Sequence, residues 1–292
     1  MRSPKDERPL TPSLSPRRGR STASVQGGFE QFAGMLFLTT VLIFRFMGFS
    51  GSLEIPFALG RSARSFALFG VDLALPDATA NPGALAFFPN WSLFSTYARP
   101  FGVVHVWALS VGGPGLSADA VLLDAGEIGP DLRYQVWAFQ GAGALRLGPL
   151  GFGGRLRFLR PTDPEGSFGL ALDAGIFWRG PISVGFVSEA VYSQFPGEPW
   201  PPTFSLALAW PLEFSGFSVM LGAAFLDFPV LPTWAFAAEA RLGPLSLRGG
   251  LHGVSLNLGG GLEFSPFALD WAFTLHPDLP LSFRVSFALR WP

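Results

Sequence analysis

Near the C terminus, successive segments alternate apolar and polar side chains with a period of two. In 267–276, Phe267, Leu269, Trp271, Phe273 and Leu275 share one face, and Ala268, Asp270, Ala272, Thr274 and His276 share the other. The next segment sets Leu281, Phe283, Val285, Phe287, Leu289 and Trp291 against Ser282, Arg284, Ser286, Ala288 and Arg290. Successive side chains of an extended strand point to opposite faces, so this period predicts strands. A soluble sandwich would turn a lysine-bearing face to water, yet the chain contains a single Lys, Lys5. The pattern predicts strands with lipid on one side and a polar interior on the other, an all-β, transmembrane, antiparallel up-and-down barrel.

Comparable segments fall at approximately 91–98, 101–111, 133–147, 150–160, 166–178, 181–192, 203–211, 216–227, 233–242, 245–252, 255–264, 267–276 and 281–291. Most have the length of a strand tilted across a bilayer. Single-chain bacterial barrels have an even strand number, which places a further strand in 114–132, where Leu116–Leu123 is apolar but alternates poorly, for about 14 strands. Registers are ambiguous in 101–111 and 133–147, where aromatics occupy both parities. Gly148-Pro149, Gly180-Pro181, Gly243-Pro244 and Ser265-Pro266 read as tight hairpin turns on one side, with longer links at Pro161–Gly166, Gln194–Pro202 and Pro229–Thr233 on the other.

Composition agrees with lipid as the outer solvent. Hydrophobic residues make up 49% and charged ones 14%, with mean hydropathy +0.36, well above an ordinary soluble domain. Past the leader no apolar run reaches the roughly 18 residues of a membrane helix, and only a closed barrel satisfies every backbone group in lipid without helices. The 36 glycines and 31 phenylalanines suit strands that bend and a face that meets hydrocarbon. Cysteine is absent, which excludes disulfides and thiolate metal sites. From residue 53 onward 13 Arg face 18 Asp and Glu, a net charge of −5, which gives no reason to expect nucleic acid.

The N-terminal part has a different texture. Residues 1–34 are polar and Pro-rich, a disordered leader or a start codon assigned too early. Residues 35–52 join an apolar stretch to Ser50-Gly51-Ser52 and read as an export signal, with an uncleaved amphipathic anchor as the alternative. Residues 53–90 carry small residues, a short helix around Ser62–Gly70, and the turn Asn81-Pro82-Gly83 leading into the barrel of 91–292.

By parity Arg155, Arg157, Asp173, Glu189, Glu239, Arg241, Arg248, Glu263, Asp270, Arg284 and Arg290 face inward, since a charge on the lipid face costs about 2–4 kcal/mol at the midplane. Their mixed signs fit a structural network that braces a narrow barrel. A substrate-guiding channel is the alternative, although a selective pore more often shows one dominant sign. His105, His252 and His276 are scattered, without a Gly-x-Ser-x-Gly elbow or a metal-ligand spacing. No enzyme activity, metal or cofactor is expected. Gly259-Gly260-Gly261 follows no strand-to-helix pattern and reads as a kink in the wall rather than a phosphate loop.

Two stretches carry a family resemblance. Gly60-Arg61-Ser62-Ala63-Arg64 is followed by Asp77-Ala78-Thr79-Ala80-Asn81-Pro82-Gly83-Ala84-Leu85, and the C-terminal Leu269-Asp270-Trp271-Ala272-Phe273 leads through His276-Pro277-Asp278-Leu279 into Arg284-Val285-Ser286. Over roughly 55–291 the chain resembles the PorV/PorQ-type outer-membrane proteins, relatives of the FadL transporter barrels. It departs from their pattern in keeping a single Asp before the Asn-Pro turn, in Gly83, and in the terminal Trp291-Pro292. The resemblance implies fourteen strands and an N-terminal plug or hatch, with Asp77, Asn81, Pro82 and Gly83 as its motif; a plain turn into the first strand is the simpler reading of Asn81-Pro82. It also implies a bacterial outer-membrane location with lipid around the barrel. The function it implies is transport or protein secretion, with exported proteins or hydrophobic small molecules as partners. A structural barrel of unknown cargo is the third reading.

Overall fold

The computed structural model describes residues 60–77, 79–129, 132–162, 168–194 and 201–292. Residues 1–34 and 35–52 lie outside this set. Fourteen strands form one closed antiparallel barrel. They are β1 (Trp91–Arg99), β2 (His105–Gly113), β3 (Leu116–Gly129), β4 (Leu132–Leu147), β5 (Leu150–Pro161), β6 (Gly169–Trp178) and β7 (Ser183–Gln194). The second half comprises β8 (Thr203–Phe214), β9 (Phe217–Phe228), β10 (Thr233–Leu242), β11 (Leu245–His252), β12 (Ser255–Phe264), β13 (Phe267–Leu275) and β14 (Ser282–Trp291). Each strand pairs with its sequence neighbours, and β14 closes on β1 in a register running from Trp91 opposite Trp291 to Arg99 opposite Phe283. Closure leaves no open sheet edge, which is what a wall in hydrocarbon requires.

The outer surface is the apolar one. Along β13 and β14 Phe267, Leu269, Phe273, Leu275, Val285 and Phe287 are exposed while Ala268, Ala272, Arg284 and Ser286 are buried. Even-to-odd connections are short: Pro114-Gly115, Gly148-Pro149, Ser215-Gly216, Gly243-Pro244 and Ser265-Pro266 join five of the hairpins, and 179–182 the sixth. They lie at the end of the barrel that also holds the start of β1 and the close of β14, called here the turn side. Among the described residues, no helix is long and apolar enough to cross a membrane.

The unclear register of 101–111 and the poor alternation of Leu116–Leu123 have physical causes. β2 begins at His105 rather than at 101, because Pro100–Gly102 forms a 3-10 turn with Phe101 at φ 53°. The additional strand is β3, whose alternation is weak because its inward side chains include Val121 and Leu123, buried in a cluster with Val106, Ala108, Val136 and Ala138. Here the inner wall is itself apolar. Register shifts against β4, between Asp124 and Gly126 and between Glu127 and Gly129, blur the pattern further.

The segment from Gly60 to Phe88 runs inside the barrel. It contains helix α1 (Ala63–Ala67), capped by Ser62, whose Oγ accepts from Ser65 N at 3.2 Å, then 3-10 turns Val71–Ala74 and Ala84–Phe87. Its residues touch the wall from Val121 on β3, through Gly151, Gly175, Gly185 and Gly222, to Gly259 on β12 and Ser286 on β14. A single short segment that meets so many strands of a closed barrel can do so only from within the lumen.

Candidate functional site

Two mechanisms seat the segment. The first is close backbone approach. Asn81 Nδ2 donates to Leu73 O at 2.9 Å and to Ile176 O on β6 at 3.1 Å, while its Oδ1 accepts from Gly83 N at 2.8 Å. This one buried side chain ties the segment to itself and to the wall. Asp77 sets the approach to the turn: its Oδ1 accepts from the Thr79 amide and hydroxyl, both at 2.8 Å, and from Ala80 N at 3.3 Å, an Asx-type turn. Wall glycines make room. A Cβ on Gly153 would stand 2.2 Å from Pro82 O, and one on Gly185 1.9 Å from Leu73 O. Gly83 is itself confined, since a Cβ there would come within 2.8 Å of Gly175 O and 2.9 Å of Gly151 O. A larger residue at any of these positions would push the segment off the wall.

The second mechanism is charge. In one cluster Arg155 Nε meets Asp173 Oδ2 at 2.6 Å, Arg155 Nη2 meets Glu189 Oε1 at 3.0 Å, and Arg157 Nη2 meets Asp173 Oδ1 at 2.6 Å. Arg155 Nη1 also donates to Thr79 O of the segment at 2.7 Å. Asp173 lies where the β6–β7 register shifts, and its Oδ1 accepts from the amide of Ala190, which has φ 51°. The bulge thus turns a backbone donor onto a carboxylate that already holds two guanidiniums. From the segment, Arg61 adds longer pairs to Asp72 at 3.6 Å and Glu189 at 3.9 Å.

In the other cluster Glu239 on β10 accepts from three arginines. Arg64 of α1 binds both carboxylate oxygens, at 3.2 and 3.0 Å; Arg248 donates to Oε1 at 2.8 Å and Arg241 to Oε2 at 3.2 Å. Arg248 also reaches Asp270 Oδ1 at 2.6 Å and Ser246 Oγ at 2.7 Å. Burial works against the Arg64 charge, but Glu239 more than offsets it and holds the guanidinium above its ordinary pKa. Arg284 donates to Arg61 O and places its guanidinium 3.9 Å from the Phe66 ring centroid, a cation–π contact. Ala63 N donates to Ser286 Oγ at 2.7 Å. Arg290 and Glu263 form a pair at the turn-side rim.

Of the residues singled out by parity, Arg155, Arg157, Asp173 and Glu189 come together in the first cluster, Glu239, Arg241, Arg248 and Asp270 in the second, with Arg284 against the segment and Glu263–Arg290 at the rim. Sequence reasoning left Arg61, Arg64 and Asp72 out of the charged set, because period-two parity says nothing about a segment that is not a strand. Burial pushes the Asp72 carboxyl up to about 6, against opposing pulls from Arg61 and the Ser65 hydroxyl. The wall glycines were visible only as composition. Gly259-Gly260-Gly261 lies in a strand whose register is unbroken on both sides, and these residues clear space for Ala67, Trp271 and Asp270 rather than breaking the strand. The histidines are dispersed: His105 Nδ1 pairs with Tyr97 OH at 2.8 Å, the His252 ring lies tilted by 46° against Phe69 with centroids 4.2 Å apart, and His276 Nδ1 accepts from Asp278 N at 3.1 Å.

A closed, apolar-faced barrel whose lumen holds an ion-paired segment defines the class as a membrane-spanning β-barrel. No family model matches the sequence, and no curated protein matches it. Among solved structures the chain is similar in fold to the CymD monoaromatic hydrocarbon channel, with 12% identity, 80% of this chain and 98% of that chain covered, and a TM-score of 0.53. Also similar are Omp33, an outer-membrane protein of Acinetobacter baumannii (8% identity, 70% and 98% covered, TM-score 0.49), and a TodX monoaromatic hydrocarbon channel mutant (11%, 80% and 99%, 0.49).

Proposed function

We propose that the protein is a bacterial outer-membrane channel in which residues 53–90 act as a plug within the barrel of 91–292, residues 35–52 serve as the export signal, and residues 1–34 form a leader. The observation that carries this reading is the placement of Gly60–Phe88 in the lumen, bound to two separate parts of the wall, β6 by Asn81 and β10 by Arg64. The proposed cargo is a small apolar molecule. Its support is an apolar patch on the inner wall of β2–β4, where Val106, Ala108, Val121, Leu123, Val136 and Ala138 are buried together beside the polar Ser110, Asp119 and Gln140. The likeness to CymD concerns the fold alone.

The charged residues are read here as the bracing that holds the plug, with Asp77, Asn81, Pro82 and Gly83 as its seat. A secretion role of the PorV type, in which an exported protein engages the barrel, is the competing outcome. Locking the plug tests the reading. A Cβ on Gly222 would lie 3.2 Å from that of Val71, close enough for a disulfide after a small shift. Val71→Cys/Gly222→Cys in proteoliposomes is expected to lose uptake of an apolar probe such as toluene when oxidised and to regain it with reductant. Uptake that is identical in both states overturns the moving plug. Near-stoichiometric recovery of an exported protein on native purification, without apolar uptake, would move the assignment to secretion.

A further inference from the structure

The turn-side mouth of the barrel holds a cavity of about 400 Å³. A second, of about 220 Å³, shares Arg64, Arg241 and Arg290 with it. The lining of the larger cavity combines those three arginines, the carboxylates Glu263, Asp270 and Asp77, and the rings Phe87, Phe88 and Phe94, with Phe94 of β1 diagonally adjacent to Arg290 of β14 in the strand register. Its size is that of a small-molecule site, and seven of its fifteen lining residues are charged.

The charge balance indicates what would fit. Arg64, Arg241 and Arg248 are held by two carboxylates, Glu239 and Asp270. Arg290 has Glu263 as its partner, and the two remaining charges on the lining, Arg179 and Asp77, cancel in formal charge without being paired with each other. One positive charge is left over. It is most accessible at Arg241, whose side chain is 43% exposed while that of Glu239 is 3% exposed. The pair with Glu239 uses one of the five N–H donors of the Arg241 fork, which is shaped for a carboxylate. On the same lining, the Phe88 and Phe94 rings lie 6.3 Å apart at 42°, a spacing at which aromatic rings attract.

We propose that this cavity binds a compact aromatic monocarboxylate, with the carboxylate on the Arg241 fork and the ring against Phe88 and Phe94. A single negative charge completes the balance, and a flat ring suits the aromatic part of the lining. Binding here does not require the plug to move, because Arg64 keeps both of its bonds to Glu239 when Arg241 turns to the ligand.

The test is calorimetric titration of the full barrel in neutral detergent with benzoate, benzyl alcohol and benzylamine. Benzoate is expected to bind about ten-fold or more tightly than either analogue, and Arg241→Gln to weaken benzoate about ten-fold, the scale of a charge-assisted hydrogen bond. Arg241→Lys is expected to recover part of the loss, and Arg160→Gln, outside the cavity, none of it to lose. Equal binding of benzoate and benzyl alcohol overturns the proposal, as does an unchanged benzoate affinity in Arg241→Gln. Where Arg241→Gln does not fold, Arg290→Gln replaces it: a several-fold loss supports the site and no loss overturns it. The oxidised Val71→Cys/Gly222→Cys barrel is expected to bind benzoate like the unmodified protein, so failure of the channel reading and failure of this site are separately visible.

Discussion

The inner segment is anchored twice, and the two anchors work differently. At Asn81–Gly83 the chain lies on β5 and β6 backbone to backbone, with glycines on both sides and one amide side chain making three hydrogen bonds. At Arg64 it is held by a guanidinium on a carboxylate shared with two further arginines. The first anchor depends on shape and tolerates almost no added volume. The second depends on charge, and breaking it leaves cations without a partner. A segment built this way has one end fixed by fit and another whose hold can be altered by removing or titrating a single group.

The sharpest way to break the charged anchor is Glu239→Gln. Buried Arg248 would then keep Asp270 as its only carboxylate, while half-buried Arg64 and exposed Arg241 would lose theirs, and loss of one partner of a buried ion pair costs about 3–5 kcal/mol. A marked drop in thermal unfolding temperature in detergent is expected, together with faster thiol labelling of a cysteine placed at the half-buried Leu75, a clean reporter in a chain that contains no native Cys. The shape anchor is tested next. Asn81→Ala strips the Leu73 and Ile176 carbonyls and the Gly83 amide of their partner and is expected to cost about 1–3 kcal/mol. Gly185→Val drives a side chain into Leu73 O at a similar cost of about 1–3 kcal/mol, whereas Gly249→Ala, whose added carbon meets nothing closer than 3.8 Å, leaves labelling unchanged.

The smallest expected effect is on pH dependence, at Asp72, which belongs to neither anchor and contacts Arg61 and Ser65. The Asp72 carboxyl is raised from 3.8 to about 6 in the docked segment, so the docked state binds its proton more tightly than the released one. Docking is therefore strongest below about pH 4, weakens as the pH rises toward about 6, and is level above that. Labelling of the Leu75 reporter, corrected for the thiol's own titration, is expected to rise over that window and to lose the slope in Asp72→Asn. A slope that persists in Asp72→Asn would assign the titration to another group.

Much of this was legible in the residues. β13 and β14 declare their faces by alternation alone, and Gly148-Pro149, Gly243-Pro244 and Ser265-Pro266 mark their turns. β3 and the start of β2 were harder. Val121 and Leu123 are inward yet apolar, which erases the contrast between faces that alternation relies on, and the 3-10 turn at Pro100–Gly102 imitates the beginning of a strand. The charged residues could be assigned a face but not partners: Arg64 and Glu239 lie 175 positions apart.

By itself the sequence determined that the chain forms strands with an apolar outer face, that their number is even, and which charges turn away from lipid. These follow from local rules, because the period of a strand and the cost of a charge in hydrocarbon act on each residue without reference to distant ones. Only the tertiary structure decided that Gly60–Phe88 lies within the lumen, that wall glycines exist to admit it, and that Glu239 gathers three arginines from two strands and a helix. Those facts depend on closure, since a barrel brings every strand to one shared interior and a segment that is not a strand has no period from which its neighbours can be read.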